Sequence, residues 1–143
     1  MTRFYDIDAA NETLPEAREI LTVLAEHRLE LIRLRDRLLE LQNDDDDAGA
    51  GGEALGRRDV AVADEKRLRL RMQGIIDQMQ ASVARLEELS ITLRDIQTGL
   101  IDFPALVAGR QICLCWRLGE DQIEWWHELS EGFGGRRRLS ELE

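Results

Sequence analysis

The sequence predicts an α+β fold, a long antiparallel helical hairpin packed with a small antiparallel β-sheet of about three strands in the C-terminal third. Three observations carry this. Two long stretches repeat apolar residues at helical spacing, an acidic and glycine-rich break separates them, and the period shifts to alternation after Ser90. At 143 residues the chain has the size of a single domain. Within it the sequence marks an N-terminal segment and first long helix (1–42), a flexible linker (43–58), a second long helix (59–90), and an antiparallel β unit with a Gly/Arg-rich tail (91–143).

Phe4 to Thr13 reads as one or two helical turns capped by Asp6. Thr13-Leu14-Pro15-Glu16 then has the form of a capping box with proline in the first turn, so the long helix is expected to start there. Its stripe runs through Ile20, Leu24, Leu31, Leu34, Leu38 and Leu41, with His27 in the gap. A histidine in such a place is expected to be a hydrogen-bonded core residue. Leu21, Ala25, Ile32 and Leu39 widen the stripe, so the helix should meet more than one neighbour.

Asn43 to Gly56 holds Asp44-Asp45-Asp46-Asp47 followed by a glycine-rich run, the composition of a linker. It lacks the alternating ligands, glycine and glutamate of a calcium loop. A second helix begins between Arg58 and Asp64 and carries Leu68, Met72, Ile75, Met79, Leu86 and Leu89 on one stripe, with Ser82 in its gap and methionines as gap-fillers. Ile91 to Ile96 alternates, Gly99 and Gly109 mark turns, and Pro104 suggests an edge or a strand end. Gln111–Arg117 and Gln122–Glu128 flank a hairpin signal at Leu118 to Asp121. The tail Gly132-Phe133-Gly134-Gly135-Arg136 is too glycine-rich for regular structure, although Phe133 should fold back onto the body.

A net charge of −10 argues against general nucleic-acid binding. Arg136-Arg137-Arg138 is the exception, a solvated basic tail or an anion contact. No apolar run approaches the roughly 20 residues of a membrane span. The first residues lack the pattern of a signal peptide, so the expected location is cytoplasmic. Cys113 and Cys115 are then free thiols, since a bridge across one intervening residue would be strained.

Ala10-Asn11 with Leu14-Pro15, Thr98-Gly99-Leu100-Ile101-Asp102-Phe103-Pro104, Leu114-Cys115-Trp116, Gly119-Glu120, Trp126-His127, and Gly132-Phe133 with Gly135-Arg136 together resemble a conserved bacterial family, domain of unknown function 2203. The resemblance is densest between Asp95 and Arg136 and implies a small cytosolic protein with no established activity.

The β unit gathers Asp95, Asp102, Cys113, Cys115, Glu120, Glu124 and His127, the residue types that bind zinc or another divalent transition metal. The candidate metal ligands are Cys115 and His127 with Asp102 or Glu120, although no standard finger spacing is present. Hairpin register decides. With Gly119 to Asp121 as the turn, Cys113 faces His127 and Cys115 shares their side; with Gly119 and Glu120 alone, the cysteines oppose Trp126 and Glu124. A metal-free pocket for a small anion or polar ligand would use Arg110, Arg136, Asp102, Glu120, Trp126 and His127. Against both stands a core in which the cysteines pack as small hydrophobes and His127 edges an aromatic cluster of Trp116, Trp125 and Trp126.

Cys115, His127 and Asp102 are also the types of a nucleophile, base and orienting group, without a motif to fix their geometry. Trp125 and Trp126 must point to opposite sheet faces, so one face meets the helices and the other a ligand or second subunit. The broad helical stripes agree, and a homodimer is expected. On the residues alone, the leading expectation is a ligand-binding or protein-interaction module without catalysis, and the alternative is a metal-binding protein or metal-dependent enzyme.

Overall fold

This computed structural model describes residues 2–47 and 52–142, and the side chains of residues 2–43 and 56–142. Two helices, α1 (Ile7–Asp47) and α2 (Gly52–Glu88), precede five strands: β1 (Thr92–Asp95), β2 (Leu100–Val107), β3 (Arg110–Arg117), β4 (Trp125–Glu128) and β5 (Arg137–Arg138). The α+β class is as expected, but the sheet has five strands rather than about three. The surplus comes from β1 and β5, which are short. β1 falls within the alternating segment Ile91 to Ile96, β5 lies in the tail that lacks periodicity, and each pairs with a longer strand beside it.

Helix α1 starts at Ile7, where the Ala9 N–H donates to Asp6 Oδ1 at 2.7 Å. The expected capping box is not used. Thr13 Oγ1 donates back to the Ala9 carbonyl at 2.9 Å, and Glu16 accepts from Arg85 Nε at 2.9 Å instead of folding over the chain. Pro15 therefore lies inside the helix with its ring exposed. An interior proline costs about 3 kcal/mol, and burial of Ala10, Leu14, Ala17 and Leu21 along the opposite side offsets it.

The expected linker also shrinks. Asn43–Asp47 belongs to α1 and Gly52–Arg58 to α2, and residues 48–51 of that stretch lie outside the described residues. Acidic and glycine residues weaken a helix by no more than about 1 kcal/mol each. Two long helices already nucleated on either side can extend into such sequence.

The chain forms two compact units, Met1–Ala25 with Ala81–Glu143, and Glu26–Gln80. In the second unit, here called the arm, the helix segments run antiparallel: Glu30 pairs with Arg71, and Gln42 Nε2 donates to Glu65 Oε1 at 3.3 Å. Leu38 and Ile75 are its buried apolar side chains among those described. The Nδ1 atom of His27 is buried with no hydrogen-bond partner among the described residues, so the expected hydrogen-bonded core histidine is not what forms.

In the first unit the sheet is an antiparallel meander in sequential order. Its inner face sends Ile101, Phe103, Ala105, Ile112, Leu114, Trp116 and Trp126 into one core with Leu14, Ala17, Leu21, Leu86 and Leu89. Gly99 has φ +68°, and a Cβ there would sit 2.6 Å from that of Leu118, so the turn needs glycine twice over. Ala108 and Gly109, both at positive φ, make the two-residue turn between β2 and β3.

Pro104 lies within β2, not at its end. Its carbonyl accepts from the Tyr5 N–H at 2.8 Å, beyond the point where β1 has ended, so the missing N–H costs no ladder bond with β1. The tail is regular in part. It forms a short 3-10 turn at Phe133–Gly135, then β5, then a second turn at Leu139–Glu141, with Leu139 and Leu142 packed against the core. Among the described residues, no helix is long and apolar enough to cross a membrane.

Candidate functional site

Cys113 pairs with His127 and Cys115 with Trp125, the register of the longer turn. Asp102 pairs with Cys115. Alternation then places Asp102, Cys113, Cys115, Trp125 and His127 on the outer face of the sheet, opposite the core. Three adjacent strands thus present an aspartate, two thiols and an imidazole side by side, and Asp102, Cys115 and His127 are all buried.

His127 Nε2 lies 2.9 Å from Asp102 Oδ1, and Nδ1 lies 2.7 Å from the Glu128 carbonyl oxygen. A carbonyl can only accept, so Nδ1 donates. The contact on the other side of the ring then carries one more proton, shared between Nε2 and the carboxylate. Asp102 Oδ2 accepts from Arg94 Nε at 2.7 Å.

Arg94 gets there through a bulge. Leu93 pairs with Ile101 and Asp95 with Leu100, which leaves Arg94 as the extra residue whose side chain is turned onto the outer face. Hydrogen bonding to Asp102 holds its guanidinium pKa above the ordinary value.

The thiols are pushed the opposite way from a nucleophile. Burial first, and the Asp102 charge second, raise Cys115 to about 12, and the same two causes raise Cys113. With Nδ1 on a carbonyl and Nε2 on Asp102, His127 has no ring nitrogen left to take a thiol proton. The three residues do not form a nucleophile–base pair.

The donor atoms of Asp102, Cys115 and His127 lie within 4.8 Å of one another. Donors around a tetrahedral zinc ion sit about 3.5 Å apart, so side-chain shifts on the order of 1 Å would bring all three to a single cation. The Nδ1–H bond to the Glu128 carbonyl is of the kind that fixes the ring of metal-ligating histidines. These residues and Arg94 line a cavity of about 290 Å³ together with Leu100 and Leu129 to Phe133.

The remaining sequence candidates lie elsewhere. Glu120 Oε1 accepts from Arg136 Nη2 at 2.6 Å and from the Arg117 N–H at 2.7 Å, and it is not part of the cluster of three donors. Arg136 is not a solvated tail residue; its side chain is 9% exposed, with the guanidinium between the rings of Trp125 and Phe133. Arg110 pairs with Glu128 at 2.5 Å and stacks on Trp126, which belongs to the core. Arg110, Glu120, Trp126 and Arg136 are therefore not among the lining residues of the Asp102–His127 cavity, although Arg136 donates to the Cys115 carbonyl at 3.4 Å and its charge and that of Glu120 act on the Cys115 thiol.

The chain's own tail also meets the second tryptophan face, with Arg136 and Arg138 stacked on Trp125. That face does not require another subunit. Sequence reasoning missed Arg94, and a one-residue bulge leaves no signal in the pattern that could have found it.

The chain matches the family described as an uncharacterized conserved protein (DUF2203) over residues 3–139, and it belongs to that family. No curated protein and no solved structure matches it.

Proposed function

We propose that this member of the family is a divalent-metal-binding module, and that Asp102, Cys115 and His127 hold a zinc-class ion on the outer face of the sheet. One observation carries the reading: three donors of zinc-binding type, buried and drawn from three neighbouring strands, lie within 4.8 Å of one another. Binding would expel the thiol proton and the proton shared between His127 and Asp102, and the cation would reverse the burial cost that keeps Cys115 protonated. A cytoplasmic location, where thiols stay reduced, suits such a site. Elemental analysis of tag-free protein purified without chelator tests it. Near-stoichiometric zinc that disappears in Cys115→Ser and His127→Ala is expected; wild-type protein that neither carries zinc nor takes it up on dialysis overturns the reading.

A second reading, association of two copies through the arm, is supported by Leu29, Leu39, Val60, Val62 and Leu70, each about half exposed or more. Sedimentation across a range of concentrations is expected to give a dimer that Leu70→Glu weakens. A strictly monomeric wild type rules the association out.

A further inference from the structure

We infer that the bound metal keeps one coordination position open to the cavity, and that this position and Arg94 together take a small carboxylate anion. The inference rests on the metal reading above and adds a ligand to it.

The donor count comes first. Asp102, Cys115 and His127 supply three ligands, and the fourth candidate carboxylate, Glu120, is held by Arg136 and the Arg117 backbone. Three protein ligands and a free position distinguish a reactive or ligand-exchanging zinc site from a closed structural one. The free position has somewhere to face, because the three donors form part of the wall of the 290 Å³ cavity. That volume is near the lower end of small-molecule sites, about 300 Å³.

Charge selects the ligand class. A divalent cation is neutralised by the Cys115 thiolate and the Asp102 carboxylate, and His127 then binds as a neutral ring. The guanidinium of Arg94 then leaves the cavity with one net positive charge, as the extra proton shared by His127 and Asp102 does in the metal-free arrangement. Glu131, the other charged residue of the wall, is paired with Arg137 at 3.1 Å and does not supply the balance. A small carboxylate does, with one oxygen on the metal and the other on the guanidinium fork, a geometry to which arginine is suited.

Cys113 is the rival. It faces His127 across the ladder on the same side of the sheet, and its thiolate could close the coordination shell.

Cobalt(II) loaded into the full chain separates these outcomes, because the thiolate-to-cobalt charge-transfer band reports the metal and the d–d bands report its coordination. The expected result is a saturable d–d shift on titration with acetate at fixed ionic strength. Arg94→Gln should retain the charge-transfer band and weaken acetate binding about tenfold.

If the d–d bands do not respond to acetate while the charge-transfer band is present, the open position is overturned and the metal reading stands. A charge-transfer band that halves in Cys113→Ser would then identify that thiol as the fourth ligand. If acetate binds equally well to Arg94→Gln, the role of Arg94 is overturned. Without any charge-transfer band, both the metal reading and this inference fall.

Discussion

Helix α1 carries one apolar stripe through both compact units, and the same pattern meets different fates. In the first unit Leu14 and Leu21 are fully buried beneath a sheet that also buries Phe103, Leu114 and Trp116. In the arm, Leu31 and Leu34 continue the stripe yet stay half-exposed, and Leu38 is the buried exception on that helix. A second helix covers a narrow seam, whereas a sheet covers a broad face. Burial, and with it most of the hydrophobic stabilisation, depends on what an amphipathic stripe is placed against and only partly on the stripe itself.

The largest expected effect tests that contrast at the centre of the sheet. Trp116→Ala should cost about 4 kcal/mol, read from urea unfolding, because a fully buried indole leaves a large cavity. A loss below about 1 kcal/mol would mean that the first unit is no better packed than the arm.

Asp102→Ala should cost about 3 kcal/mol, since it strands the buried His127 ring together with Arg94. Arg94 is about half exposed and contributes the smaller share. Asp102→Asn, which keeps a hydrogen-bonding group in place, should lose less.

A smaller effect depends on pH. In chelator-treated, metal-free protein the folded state holds the Cys115 proton up to about 12, whereas an unfolded thiol releases it near 9. The raised value stabilises the fold in full below about pH 9, and stability falls as pH rises from there toward 12. Unfolding midpoints at about pH 8 and about pH 10.5 should differ less in Cys115→Ser than in the wild type. In the arm, hydrogen bonds from Arg69 and Gln42 lower the Glu65 carboxyl pKa, so its contribution is lost at the acid end instead.

The smallest effect belongs to the arm surface. Leu70 is 74% exposed in the single chain, and at concentrations where the protein is monomeric Leu70→Ala should leave the unfolding free energy within about 0.5 kcal/mol of the wild type. A loss that grows with protein concentration is the signature of the second copy covering that residue.

The legible part of the candidate site was its composition. Asp102, Cys115 and His127 stood out as residue types, and alternation left only two hairpin registers, one of which brings the three together. Glu120 was equally plausible as a type. It fell away because Arg136, drawn in between Trp125 and Phe133, claims its carboxylate from a stretch of tail that lacks periodicity. Arg94 could not be anticipated, since an inserted residue in a four-residue strand does not disturb the alternation around it.

By itself the sequence determined the helix-then-sheet order and the turns at Gly99 and Gly109, which follow from local sterics and hydrophobic period. Only the tertiary structure decided the start of α1, the extent of the linker, the fifth strand and the partners of Asp102. Each of these is a competition between a local preference worth about 1 kcal/mol and a burial or pairing contact from a distant part of the chain. The outcome is set by the neighbour that arrives, which local spacing does not encode.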